Sequence, residues 1–508
     1  MDKSDFCNNE RQQLIAKEGG TNGYLGNRHE DGNTNNLHNA EAFSHVRTYR
    51  RRFWVAGLFC LVGCIQSLIW NTWGPVAASA EVALGWTDGH VATVVNLSNI
   101  SYLVVAIPMC MLMDTKGLRF AMILSDVLIV IGSVIRCFSL DYVAITATSY
   151  ICGLLQGISA SVPFSGPALL AAVWFPPHQR PVATAVGSFS NYLGVSLSFI
   201  VGPYLVPDPV YSSTGIIPYN ENQRSDQSVS SFAYSYNISN SSEPVVTNLS
   251  EIRQGILNLL YTHAVAIVIT LILLLAYFPA KPPQPPSITA SIGRTDYRRA
   301  ILTILKNGPL WLIVTAGALP IGIVGVWIAI LDVVLKPIGV TQIDAGWIGF
   351  WHTLIGCFSG IIIAKFSDFF NRRRKLFLLI LFTLAAACAL WFALITQKLV
   401  PFDVTQLYVA GILLGIFVDG TTPLFYEMCA EASYPVAEGI TGGFYTSVNN
   451  IFGVIFLSLV SVPDISTSWM TWAVLGSLVT SLPLLVAFPE RYKRTDIDLC
   501  RTTMIEND

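Results

Sequence analysis

The chain has 508 residues, 53% of them hydrophobic and 12% charged, with a formal net charge of −2. A soluble globular domain carries about 25% charged residues, so that class is excluded and a polytopic membrane protein is indicated. The small net charge says little about partners; where the charges fall says more, and no nucleic-acid partner is expected.

Residues 1–52 are polar, rich in Asn, Gly, Glu and Gln, without the apolar core of a signal peptide, and read as a disordered cytosolic tail. Within this tail ERQQLI, with Glu10, Leu14 and Ile15 at its defining positions, fits the acidic dileucine form E-x-x-x-L-[LI]. Clathrin adaptors read that form for endolysosomal sorting, although such hexapeptides also arise by chance.

Apolar stretches follow, each enough for a helix of roughly 20 residues across a bilayer. They lie near 53–79, 88–113, 119–138, 143–174, 180–205 and 256–279, and then near 308–335, 343–366, 374–397, 403–430, 438–461 and 467–488. The predicted fold is therefore an all-α integral membrane protein of twelve transmembrane helices in two six-helix halves. The halves are a bundle over 53–279 and a bundle over 308–488, joined by a cytosolic linker over 280–307. A cytosolic tail occupies 489–508. The linker begins KPPQPPS, which reads as an extended spacer.

Basic loops fix the expected orientation. RTYRRR, DTKGLR, HQR, GRTDYRR, NRRRK and RYKR all fall on one side of this count, which makes that side, with both termini, cytosolic. The 206–255 loop then lies on the lumenal or extracellular side, where its sequons at Asn237, Asn240 and Asn248 are open to glycosylation. The chain has ten cysteines; eight lie in apolar segments, none forms a C-x-x-C pair, and no metal site or cofactor is expected.

Polar residues in hydrocarbon are costly unless partnered, so they mark candidate binding positions. In segment one these are Gln66, Trp70, Asn71 and Trp73, with Gln66 and Trp70 one helical turn apart. An indole can stack on a ring or hold a cation, and interfacial packing is the ordinary alternative. Gln156, Asn191, Trp327, Tyr445 and Asn449 complete the set of binding candidates, with simple helix-to-helix bonding as their alternative. Intramembrane acids are candidates for carrying protons. Glu427 leads, with Glu431 on its face of the helix, Asp419 two turns earlier and His352 as a candidate relay; Asp126 and Asp332 are further buried acids. No Walker loop, G-x-S-x-G or H-E-x-x-H is present, so an enzyme or a nucleotide-driven pump is not expected.

Asp114, Gly117 and Arg119 follow segment two as D-x-x-G-x-R, and Asp368 and Arg373 recur at the matching place after segment eight, with Asn371 where glycine stood. With two six-segment halves, this resembles the major facilitator superfamily. That resemblance implies that these residues tie neighbouring cytosolic helix ends and govern opening. WNTWGP at 70–75, ALLAAVWFPPHQRPVATAVG at 168–187 and EASYPVAEGITGG at 431–443 resemble the feline leukaemia virus subgroup C receptor family, and within it the lysosomal branch.

The resemblance implies small, water-soluble organic cargo. It points to proton-coupled transport of a pyridoxine-type vitamin B6 form across the lysosomal membrane by alternating access. A facilitative choline, ethanolamine or haem-related carrier, at the plasma membrane, is the alternative within the family. A transport-inactive receptor or nutrient sensor is the alternative of another class. The expected partners are the small-molecule substrate, protons, the lipid bilayer and a clathrin adaptor.

Overall fold

The computed structural model describes residues 49–176, 179–212, 245–283, 297–367, 373–434, 436, 438–462 and 467–490. Among these, 12 helices are long and apolar enough to cross a membrane. The only β-pairing among the described residues is a two-residue one, Tyr211 opposite Val246 and Ser212 opposite Val245. The sequence expectations at Glu10, Leu14, Ile15, Asn237, Asn240 and Asp368 lie outside the described residues.

The first six spans are Arg51–Trp70, Asp88–Lys116, Leu118–Ile135, Tyr142–Trp174, Arg180–Leu205 and Leu249–Ala276. The second six begin at Gly308–Ala329 and continue through Gln342–Ser367, Arg374–Thr396, a broken tenth span over 404–433, Glu438–Val460 and Ser468–Ala487. The chain enters the first span and leaves the twelfth on one face, called here the near face. The turn at Gly117 between spans two and three lies there, with a φ of 87° that favours glycine. The connections at 71–87 and 330–341, and the described ends 206–212 and 245–248 of the one between spans five and six, lie on the opposite, far face. Within the linker, Tyr297–Leu305 is helical, where the prolines alone suggested an extended spacer.

Packing follows the two halves. In the first, span one packs on span five, spans two and three on span four, and span three on span six. In the second, span seven packs on spans eleven and twelve, and span ten on spans eight and nine. The halves meet where span five lies on span eight and span two on span eleven.

Three spans are broken, which apolar patterning does not reveal. Span one stops at Trp70, inside WNTWGP, and a 3₁₀ turn over Gly74–Val76 leads into a short helix, Ala77–Leu84. Pro75 has no N–H to continue the ladder, and the Thr72 hydroxyl takes up the Ile69 carbonyl at 2.5 Å. The expectation of an unbroken helix over 53–79 is corrected by this break. Span seven breaks at Ile330 and resumes as Leu331–Leu335. The two breaks touch: a Cβ on Gly74 would overlap the Ala329 carbonyl oxygen. Span ten breaks at Asp419–Thr421, ahead of Pro423.

Gly74→Ala should lower the thermal midpoint of the purified protein, consistent with an overpacking cost of about 1–3 kcal/mol. Gly476→Ala, where a Cβ meets nothing within 4 Å, should leave it unchanged in the same melt.

Candidate functional site between the two halves

Most of the polar candidates in the first half bind one another. Gln66 Nε2 donates to Ser125 Oγ at 3.0 Å and lies 3.5 Å from Asp126 Oδ1. The Gln66 carbonyl accepts from Gln156 Nε2 at 2.8 Å. Thr270 Oγ1 lies 3.0 Å from Asp126 Oδ2, which brings span six into the network. Asn71 Nδ2 donates to Ser198 Oγ at 2.9 Å and Asn191 Nδ2 to the Pro163 carbonyl at 2.9 Å. These side chains are buried and hold spans one, three, four, five and six together. Of the expected binding positions, Gln66, Asn71, Gln156 and Asn191 thus each donate inside their own half, while the carboxamide oxygens of Asn71, Gln156 and Asn191 have no partner in the protein.

Two of the candidate tryptophans pack against other rings. Trp73 is buried against Trp86, ring centroids 4.7 Å apart, and Trp327 is buried edge-on to Phe392 at 5.1 Å. Trp70, at the broken end of span one, and Asn449 in span eleven are half-buried.

Elsewhere tyrosines of both halves gather where the halves face each other, and two of them, Tyr192 and Tyr426, are accessible to the cleft between. Tyr102 and Tyr192 come from spans two and five, Tyr426 and Tyr445 from spans ten and eleven. Tyr426 lies within electrostatic reach of each of the other three. Its ring centroid is 5.0 Å from that of Tyr445, and its hydroxyl pairs with Thr446 Oγ1 at 2.7 Å. Tyr192 and Tyr426 each keep 39% of their surface accessible. Tyr445 is fully buried behind Tyr426. Tyr192 was missed by sequence reasoning, which chose its neighbour Asn191. One residue is about 100° around a helix, so Asn191 turns into its bundle and Tyr192 turns out of it.

Beside Tyr192 stand Asp419, at the break of span ten, and His352 in span eight. His352 Nδ1 lies 2.8 Å from the Gly411 carbonyl, which can only accept, so Nδ1 carries a hydrogen. Its Nε2 has no hydrogen-bond partner and faces Asp419 Oδ2 at 3.6 Å. Two lone-pair atoms facing each other repel unless a proton lies between them. Glu427 is placed differently: it is half-exposed toward the near face and paired with Arg374 at 2.7 Å. An ion pair that open is worth about 0–1 kcal/mol. Glu431 is buried one turn further on, nearer the membrane edge than Asp419. Arg119 and Arg373 are exposed at near-face helix ends, and Asp114 lies in the last turn of span two.

The far face is closed by bonds between halves. The Ala78 N–H, at the start of the short helix after the first break, donates to Asp332 Oδ2 at 2.8 Å. That end of a helix leaves N–H groups open and attracts negative charge. Ser79 Oγ lies 3.0 Å from Gln342 Oε1, while Gln342 Nε2 donates to the Val206 carbonyl at 3.0 Å. Lys336 pairs with Glu81. Asn96 Nδ2 donates to Ser458 Oγ at 2.9 Å and Ser196 Oγ to the Phe350 carbonyl at 3.2 Å. Asn248 belongs to this face, its carboxamide already bonded to the Asp208 carbonyl and the Val210 N–H.

Comparison with known proteins agrees with this geometry. The Major Facilitator Superfamily model matches residues 46–217 and 254–457. The crystal structure of a D-xylose-proton symporter superposes with a TM-score of 0.60 at 13% identity, covering 86% of this chain and 98% of that one, a likeness of fold alone. The chain is therefore a secondary transporter of the major facilitator type, not an enzyme. A Xenopus tropicalis protein named solute carrier family 49 member 4 homolog is 35% identical over 457 residues, covering 89% of this chain and 94% of the relative. A choline/ethanolamine transporter, FLVCR1 of Felis catus, is 24% identical and covers 85% of this chain and 72% of its own length. The chain belongs to solute carrier family 49.

Removing the Asp332 carboxylate by Asp332→Ala should orphan the Ala78 N–H and weaken far-face closure by ~1–2 kcal/mol. A cysteine at the fully buried Ala80 should then react roughly 5- to 30-fold faster with a membrane-impermeant thiol reagent.

Proposed function

We propose that this chain is a proton-coupled transporter that moves a small, pyridoxine-like organic nutrient across the lysosomal membrane by alternating access. The observation that carries the reading is the His352–Asp419 pair beside the tyrosine-lined cleft. Proton uptake between Nε2 and Oδ2 removes their repulsion and draws span eight toward span ten. Both spans bear on the interface between the halves, span eight directly through span five. Trp70, Tyr192, Tyr426 and Asn449 are the cargo positions, the aromatics offering ring faces and Asn449 a carboxamide. Asp114, Gly117 and Arg119, with Asp368 and Arg373, act at the near-face helix ends during opening.

The basic loops support a cytosolic near face, so the bonded far face corresponds to a state closed to the lumen. ERQQLI supports lysosomal sorting through a clathrin adaptor, and the sequons Asn237, Asn240 and Asn248 fall on the lumenal side in this orientation. A second reading is a choline or ethanolamine carrier. Tyrosine faces next to the Asp419 carboxylate suit a quaternary ammonium, and the relative FLVCR1 carries that name.

Uptake measured at the surface of cells expressing the Leu14→Ala, Ile15→Ala chain tests these points together. Retention inside the cell would remove the motif from the account. With one proton per cargo, a gradient of about two pH units supports up to ~100-fold accumulation. Asp419→Asn should reduce accumulation to equilibration while preserving cargo exchange. Uptake indifferent to the gradient in the unmutated cleft would overturn proton coupling, and inhibition by choline but not pyridoxine would favour the second reading.

A further inference from the structure

Arg136 directly follows span three, toward the far end of the first half, and is only 2% exposed. Its Nε–H and one terminal amine, Nη2, have no hydrogen-bond partner in the protein. Among the described residues no carboxylate pairs with it. The acid nearest along span three is Asp126, ten residues back, about 15 Å along a helix and engaged with Gln66 and Thr270. A guanidinium cannot shed its charge, and an isolated buried charge is strongly unfavourable. The C-terminal end of span three supplies partial negative charge, but no carbonyl there accepts from Nε or Nη2.

The surroundings supply further donors. Spans three and four run antiparallel with Gly132 against Cys152. Moving one turn on to Arg136 therefore moves one turn back toward Ser149. Ser149 and Ser133 are fully buried, and neither hydroxyl has a partner. His263 of span six is buried within electrostatic reach of Arg136, as are Cys137 and Cys152. His263 Nδ1 faces Thr72 Oγ1 at 3.3 Å. Ile129, Cys152 and Ile267 form an apolar cluster on the same spans. One cation and two hydroxyls, all buried and with open hydrogens, thus lie at this end of spans three and four, and among the described residues no carboxylate, Asp141 five residues on included, forms an ion pair with the guanidinium.

We propose that Arg136, with Ser133 and Ser149, holds a small inorganic anion of chloride size inside the first half, apart from the transport cleft. The side-on edge of the guanidinium presents Nε–H and Nη2–H to one anion, and the hydroxyls turn their hydrogens toward it. The enclosure selects a compact monovalent ion; a lipid phosphate would need an opening for its chains. The anion neutralises the buried charge where spans three, four and six meet, so it stabilises that half independently of cargo.

The test is thermal unfolding of the full-length protein in lipid nanodiscs over a chloride series, with gluconate holding ionic strength constant. The midpoint should rise saturably by roughly 2–4 °C, with bromide acting like chloride. Arg136→Leu should abolish the response. A midpoint indifferent to chloride, or an equal rise in Arg136→Leu, overturns the proposal. If that variant does not fold, Ser149→Ala replaces it and should need several-fold more chloride for half the effect; an unchanged half-point overturns the proposal. Bromide anomalous scattering from crystals of the unmutated protein should peak beside the Arg136 guanidinium, and bromide peaks only elsewhere would contradict it.

Discussion

Hydrocarbon offers no hydrogen-bond partners, and this single constraint orders the whole molecule. Backbone groups are satisfied inside helices, and side-chain groups must find one another. Gln66, Ser125, Asp126, Gln156 and Thr270 do so within the first half, as do Asn71 with Ser198 and Asn191 with Pro163. These ties cross between spans rather than between halves, so they make the first half a body that moves as a unit. Outside these ties stand the His352–Asp419 pair, the tyrosines and the far-face seam, on which the proposed function rests.

The seam shows how a transporter is closed without being fixed shut. Part of it is built at the breaks in spans one and seven, where the interruption starts a new helix and leaves N–H groups open at the junction. The Ala78 N–H, offered to Asp332 across the halves, is such a group. Gly74 lets the two breaks meet closely. The ion pair of Lys336 with Glu81 is partly exposed and so worth little by itself. A few polar bonds of about 1 kcal/mol each hold the far face, a strength that small differences in binding to cargo or proton can outweigh.

Apolar runs made the spans legible, because about twenty residues without charge have few other fates in a chain this poor in charge. The same runs concealed the helix breaks, since Pro75 and Gly74 in span one and Gly420 in span ten change direction without changing hydropathy. Polar residues were found by type, but their direction was not. Asn191 and Tyr192 are adjacent, and only three-dimensional packing shows which one turns to the cleft. Glu427 drew attention as an intramembrane acid, whereas its depth and its partner Arg374 emerge only once span ten is folded. Asp419 and His352 were each visible as candidates; that they face each other across spans eight and ten was not. Arg136 gave no signal, because a basic residue at a helix end ordinarily faces water.

The proposed proton coupling through His352 and Asp419 would place the chemistry beside the proposed cargo positions and link it to the packing of span eight on span five. The most direct test is proton movement itself, followed with a trapped pH dye in proteoliposomes when pyridoxine is added on one side. The account predicts that protons cross with the cargo in the unmutated protein, and that Asp419→Asn carries cargo without them. Cargo flux without any proton movement in the unmutated protein would contradict it.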